Sequence, residues 1–166
     1  MTGIKTRSIE FQDPALTAAG AAGKRGIEFL QEIIDGKLPA PPIHATLGFK
    51  LLEVQDGFAR FQLLPGEHLY GWHNAAHSGV AAALLDSAMG AAVMSVLEAN
   101  LGYTTAGLAV HLTRSITSRA AEVLAEGWVV HRGSRLVTTE GRLTDEQGRL
   151  LAHGSATALL VERPAT

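Results

Sequence analysis

The sequence predicts an α+β fold in which an antiparallel β-sheet of about six strands is wrapped round a long central helix, with an extra N-terminal helix. Residues 80–97 carry one ionisable group, Asp86, among Ala, Val, Leu, Met and Gly, so a helix there is apolar on every side and needs cover on every side. The flanking segments read as strands: two runs joined at Asp56-Gly57 precede the helix, and four runs rich in Val, Thr and Leu follow it. A single apolar helix among that many strands implies a sheet curled over it.

The elements follow in order. Residues 1–22 mix small and polar side chains round Pro14 and an Ala/Gly run, and read as a flexible leader; residues 23–166 read as a single domain. Ile27, Leu30, Ile33 and Ile34 recur at helical spacing, with Gly36 where a C-cap glycine sits, and LPAPP stops that helix. GFKLLEVQDGFARFQLL is a hairpin turning at Asp56-Gly57, and the loop EHLYGWHNAAHSG leads into the central helix, which ends within 98–102. Strands then span 103–112, 122–132, 136–143 and 150–161, parted by Gly133-Ser134 and by the turn at 145–148.

Composition removes several function classes. With no cysteine, the chain has no disulfides, thiolate nucleophile or cysteine metal site. A net charge of −2 gives no reason to expect nucleic acid, and no basic run marks a membrane surface. The start, MTGIKTRSIEFQDP, lacks the apolar core of a secretory signal, so the expected location is cytoplasmic. The central helix is long enough to span a bilayer, but a mid-helix Asp costs about 3 kcal/mol there and Ala and Gly return little, so no membrane is expected.

Asp86 is the first candidate for chemistry. A lone carboxylate on an apolar helix must be satisfied by backbone donors or an arginine, or be held there for work, and Asp86 alone leaves both readings open. His73 and His77 in HNAAH have the spacing of a helical zinc pair, but Asn74 stands where a zinc protease has its base and Gly71 marks a loop. No metal is expected, and His77 reads as a residue that bonds backbone to fix the turn. His111 and His153 read as strand residues. Tyr70 and Trp72 line a pocket or pack at a subunit contact.

An H-x-G motif followed by an apolar helix with Asp nine residues after the His, then YTT, HRGSR and DEQGRLLAHGSAT, resembles the PaaI-like (phenylacetate-degradation type) hotdog-fold acyl-CoA thioesterases across residues 29–161. The resemblance implies a hotdog fold assembled as homodimers and usually homotetramers. It implies hydrolysis of a coenzyme A thioester to acid and free thiol with no metal or cofactor, CoA being part of the substrate. His77 falls at the motif histidine, Ser78 and Gly79 at its glycine pair, Asp86 at the helix carboxylate and Thr105 at the assisting hydroxyl. Gly71 stands at the motif asparagine and Asn74 at the motif glycine, so Asn74 is the candidate stand-in for the missing amide. Arg132 and Arg135 are the first candidates for the CoA phosphates, with Arg114 and Arg119 behind them.

The expected substrate is an aryl- or medium-chain acyl-CoA. Backbone amides at Ser78 and Gly79 would stabilise an oxyanion at the helix N-terminus. Ser78 and Asp86 are eight residues apart, about 12 Å along a helix, too far to grip one thioester carbon. A two-fold pairing would bring Asp86 of one chain to the 77–79 turn of the other. Two alternatives stand beside this reading. A hydratase or dehydratase would pair His73 with Asp86, and a non-catalytic acyl-CoA-binding protein would explain Gly71.

Overall fold

Alternation of apolar and polar residues builds the sheet. The computed structural model describes residues 3–117 and 120–162, and contains β1 (Phe49–Gln55), β2 (Phe58–Leu63), β3 (Leu101–Leu112), β4 (Val123–Arg132), β5 (Leu136–Asp145) and β6 (Leu150–Glu162). The six strands form one sheet in the order β1-β2-β4-β5-β6-β3, antiparallel throughout. In β5, Val137, Thr139, Gly141 and Leu143 turn inward while the residues between them face out. On the outer face Glu126 bridges Arg60 at 2.8 Å and Arg142 at 2.7 Å, tying β2, β4 and β5 together. The six antiparallel strands match the expected fold.

The central helix, α4 (Ser78–Ser95), lies across the inner face of the sheet and touches every strand. Val80, Leu84, Leu85, Ala88, Met89, Ala92 and Val93 are buried against it. Cover on every side is not complete in a single chain. Ala82, Ala83, Asp86, Ser87 and Met94 form a half-buried stripe at helical spacing beside β3, the edge strand, whose residues 104–109 are exposed.

Close approach of helix to sheet depends on glycine in the strands as much as on small residues in the helix. Gly127, Gly141 and Gly154 lie in register across β4, β5 and β6. A Cβ on Gly127 would sit 2.5 Å from the Ala88 carbonyl carbon and 2.5 Å from the Met89 nitrogen, both backbone atoms that move only with the helix. Gly127→Ala is therefore expected to destabilise the fold by about 3 kcal/mol through overpacking. Chemical denaturation would read this as a lower midpoint at unchanged m-value; an unchanged midpoint would show that the helix lifts freely.

Ahead of the sheet lie three helices where the sequence predicts one. The expected helix is α2 (Gly26–Ile34), with Gly36 beyond it at φ 72°. The stretch read as a leader contains α1 (Pro14–Gly20), capped by Asp13, which accepts the Ala15 N–H at 2.9 Å. Thr17 and Ala21 are buried, and Thr17 Oγ1 donates to the Pro39 carbonyl at 3.0 Å. Upstream, Arg7 donates to the carbonyls of Thr46 and Ala45 at 2.7 and 3.0 Å. The prolines that stop α2 also start α3 (Pro42–Leu47), which ends on Gly48 at φ 80°. Proline is compatible with a first helical turn, so Asp13-Pro14 and Pro41-Pro42 act as start signals.

Candidate active site

The loop before α4 is a short closed turn. Tyr70 and Ala76 form an antiparallel bridge, the Gly71 N–H donates to the Ala75 carbonyl at 2.9 Å, and the His77 N–H donates to the Leu69 carbonyl at 2.8 Å. HNAAH therefore lies in a turn rather than on helical turns, and His73 and His77 lack zinc-pair geometry. Among the described residues no group of three or more potential metal-binding side chains converges.

Asn74 occupies the left-handed region at φ 51°, which explains why this chain has Asn where the motif has Gly: asparagine enters that region more readily than other side chains. Its side chain is exposed. Asn74→Gly should leave stability within a few tenths of a kcal/mol, whereas Asn74→Ala should lose about 1 kcal/mol, measured by thermal melting. Gly71 is different. A Cβ there meets His77 Cδ2 at 3.6 Å, ordinary contact, so a side chain fits at the motif asparagine position.

The turn delivers His77 to the N-cap of α4. Its Nδ1 accepts the Gly79 N–H at 3.0 Å, which leaves the imidazole proton on Nε2 in the neutral ring. Gly79 is thus already bonded, while the Ser78 N–H has no partner among the described residues. Ser78 has ordinary helical backbone, so replacing the motif glycine brings no strain. A cavity of about 490 Å³ opens in front of this turn, lined by Gly71, Trp72, His73, His77, Ser78 and Arg114. Trp72 stands at its mouth with 97% of its surface exposed.

The candidate arginines lie at opposite ends of α4. Arg114 lines that cavity. Arg132 and Arg135 flank the β4–β5 turn near the other end of α4, where the Val129 N–H donates to Gly57 and the Gly57 N–H donates to Ser95 Oγ. Arg119 lies outside the described residues.

Asp86 faces a second cavity, of about 230 Å³. Thr105 Oγ1 donates to Asp86 Oδ1 at 2.9 Å. A bulge between Thr105 and Gly107 interrupts the β3–β6 register at this point. No arginine engages the carboxylate among the described residues, and His73 lines the other cavity. In one chain, therefore, the carboxylate and the capped helix N-terminus open on different spaces.

Sequence reasoning missed Tyr103. It shares a face of β3 with Thr105 and lies against Gly90, one helical turn after Asp86, where any Cβ would collide with its hydroxyl. Burial and the charge of Asp86 push the Tyr103 phenol up to about 12, so it stays protonated beside the carboxylate. A glycine one turn beyond the only carboxylate of α4 was the available signal.

Residues 73–152 match the thioesterase superfamily. No curated protein matches the sequence. Among solved structures, a putative thioesterase from Ralstonia eutropha JMP134, a phenylacetic acid degradation-related protein, is 21% identical, with 78% of this chain and 98% of that chain covered at TM-score 0.71. The PaaI protein from the phenylacetic acid degradation operon of E. coli is 15% identical, with 84% and 96% covered at TM-score 0.71. A thioesterase family protein from Silicibacter pomeroyi is 21% identical, with 81% and 99% covered at TM-score 0.71. The matched segment runs from the loop histidines through α4 and β3 into β6, and so includes His77, Asp86 and Thr105. This chain is therefore similar to the thioesterase superfamily over residues 73–152, just under half of its length, and has the hotdog fold of the solved PaaI-type structures.

Proposed function

We propose that this thioester hydrolase acts on acyl-CoA, cleaving a compact aryl- or medium-chain ester to the free acid and CoA without a metal, in the cytoplasm. The observation that carries the reading is Asp86, half-buried on an otherwise apolar helix, fixed by Thr105 and facing an apolar cavity. Thr105 occupies Oδ1, leaving Oδ2 to take a proton from water or to attack the carbonyl carbon itself. In the water route a C–O bond forms, the carbonyl oxygen becomes an oxyanion at the Ser78 N–H, and collapse breaks the C–S bond. The proton held by Asp86 then passes to the departing thiolate.

The two halves of this chemistry meet best between chains. Eight residues separate Ser78 from Asp86, about 12 Å of helix rise. A homodimer formed through the exposed edge of β3 and the open stripe of α4 would place one chain's Asp86 at the other's 77–79 turn, giving two equivalent sites. Pairing of such dimers into a tetramer is part of the same reading. Arg114 is the favoured contact for the CoA phosphates and Trp72 for its apolar parts, ahead of Arg132 and Arg135.

Thiol release from a panel of aryl and straight-chain acyl-CoAs tests the proposal. Release from at least one ester supports it. No release together with tight acyl-CoA binding would identify a binding protein on an enzyme's scaffold.

A further inference from the structure

The phenol of Tyr103 takes no part in the chemistry above, yet it stands next to the carboxylate that does. It is half-buried, and its ring packs with Val93, Leu97, Val137 and Ala158 between α4 and the sheet. Thr105 lies two residues on along the same face of β3, about 7 Å away, and bonds Asp86. Gly90 lies one turn beyond Asp86 on α4, about 6 Å away, and its missing side chain makes room for the Tyr103 hydroxyl. Two rungs therefore stand side by side, Thr105 on Asp86 and Tyr103 on Gly90.

Both halves of the second rung cost stability by themselves. Glycine inside a helix is less stable than alanine, and a half-buried hydroxyl without a partner gives up water and recovers no hydrogen bond. The Tyr103 hydroxyl has no hydrogen-bond partner among the described residues. Nor is it sealed off. Among those residues the one fully buried polar side-chain atom without a partner is His44 Nδ1, and Tyr103 lines the cavity that Asp86 faces. A phenylalanine would fill the same place without that cost, so the oxygen points to a use at the cavity.

We propose that Tyr103 is a positioning residue for the attacking water, which is held between Asp86 Oδ2 and the Tyr103 hydroxyl with a lone pair turned toward the thioester carbon. The inference rests on the reading of Asp86 as the reacting carboxylate. Thr105 occupies Oδ1 and leaves Oδ2 free. The rungs are about 6 Å apart along the helix, a gap that one water spans with two hydrogen bonds of about 3 Å. One hydrogen of the water goes to Oδ2 and the other to the phenol oxygen, so a lone pair is left for attack. As the C–O bond forms, the first proton passes to Oδ2 and the second stays on the oxygen that becomes the acid's hydroxyl. Burial and the charge of Asp86 keep the phenol protonated, so it puts no second negative charge beside the carboxylate.

The test sets methanol against water as the attacking molecule, because methanol has a single hydroxyl hydrogen and can satisfy Asp86 or Tyr103 but not both. Thiol release, free acid and methyl ester are measured for the acyl-CoA panel at a fixed methanol concentration, in the unaltered protein and in Tyr103→Phe. Phenylalanine keeps the ring and strands no partner. It should lower kcat for hydrolysis about tenfold, with KM and melting temperature close to their original values. The ratio of methyl ester to acid should rise several-fold, which a role in packing alone would not bring about. Unchanged kcat, or a lower kcat at an unchanged ratio, overturns the role of Tyr103 alone. Absence of thiol release from every ester, or near-normal turnover in Asp86→Asn, overturns the reading of the site on which it rests.

Discussion

Asp86→Asn is expected to lower kcat for the best acyl-CoA ester by three orders of magnitude or so, with melting temperature nearly unchanged. Removing a positioned general base or nucleophile forfeits about 10²- to 10⁴-fold in rate. The amide matches the carboxylate in shape, and its oxygen can still accept the Thr105 hydroxyl that bonds Asp86 Oδ1 at 2.9 Å. No compensating cation is stranded, because no arginine engages Asp86 among the described residues. The loss should therefore fall on kcat and leave KM close to its original value, the pattern of an interaction made in the transition state. Thr105→Ala should cost less, about tenfold, because the carboxylate keeps its chemistry and loses only its orientation. Near-normal turnover in Asp86→Asn would sink the assignment of this residue, whatever Thr105→Ala did.

Thr105 is singled out only through the family resemblance, and the structure places its hydroxyl 2.9 Å from Asp86 Oδ1. Asp86 stands out in the sequence because its signal is local, a lone carboxylate on an apolar helix. The strands were legible for the same reason, period-two alternation with turn residues between them. The prolines misled. Pro14 and the LPAPP segment read as breaks, yet Asp13 and Pro41 stand before the first turns of α1 and α3. Residues whose importance depends on distant neighbours were not legible at all. Tyr103 matters because Gly90 receives it. That Arg114 lines one cavity with His77 is visible only once the sheet has placed β3 and the segment after it beside that turn. Asn74 shows the reverse: a departure from the motif in sequence falls at a left-handed backbone position, which asparagine tolerates better than most side chains.

Ser78→Pro should give the second large effect, a fall of about 10²- to 10³-fold in kcat, the usual result of deleting one oxyanion donor. Proline removes a backbone N–H that no conventional side-chain change can reach. The position tolerates it, because Ser78 is the first residue of α4, where proline is favoured and its missing N–H breaks no helical bond. His77, at φ −58° and ψ 140°, already has the extended backbone that a residue before proline requires. Ser78→Ala and Ser78→Gly keep the N–H and should stay near the original rate, separating the amide from the hydroxyl. Full activity in Ser78→Pro would move the oxyanion contact to another donor on this turn, His77 Nε2 or the Asn74 side-chain amide. The same variant also tests where the site lies. If each site takes Asp86 from one chain and Ser78 from its partner, a mixed dimer of Asp86→Asn and Ser78→Pro chains has one site with both groups intact and one with neither. Random mixing of two nearly inactive proteins would then restore about a quarter of the original activity, since half the dimers are mixed and each has one working site of two. Two chains that each held a complete site would restore none.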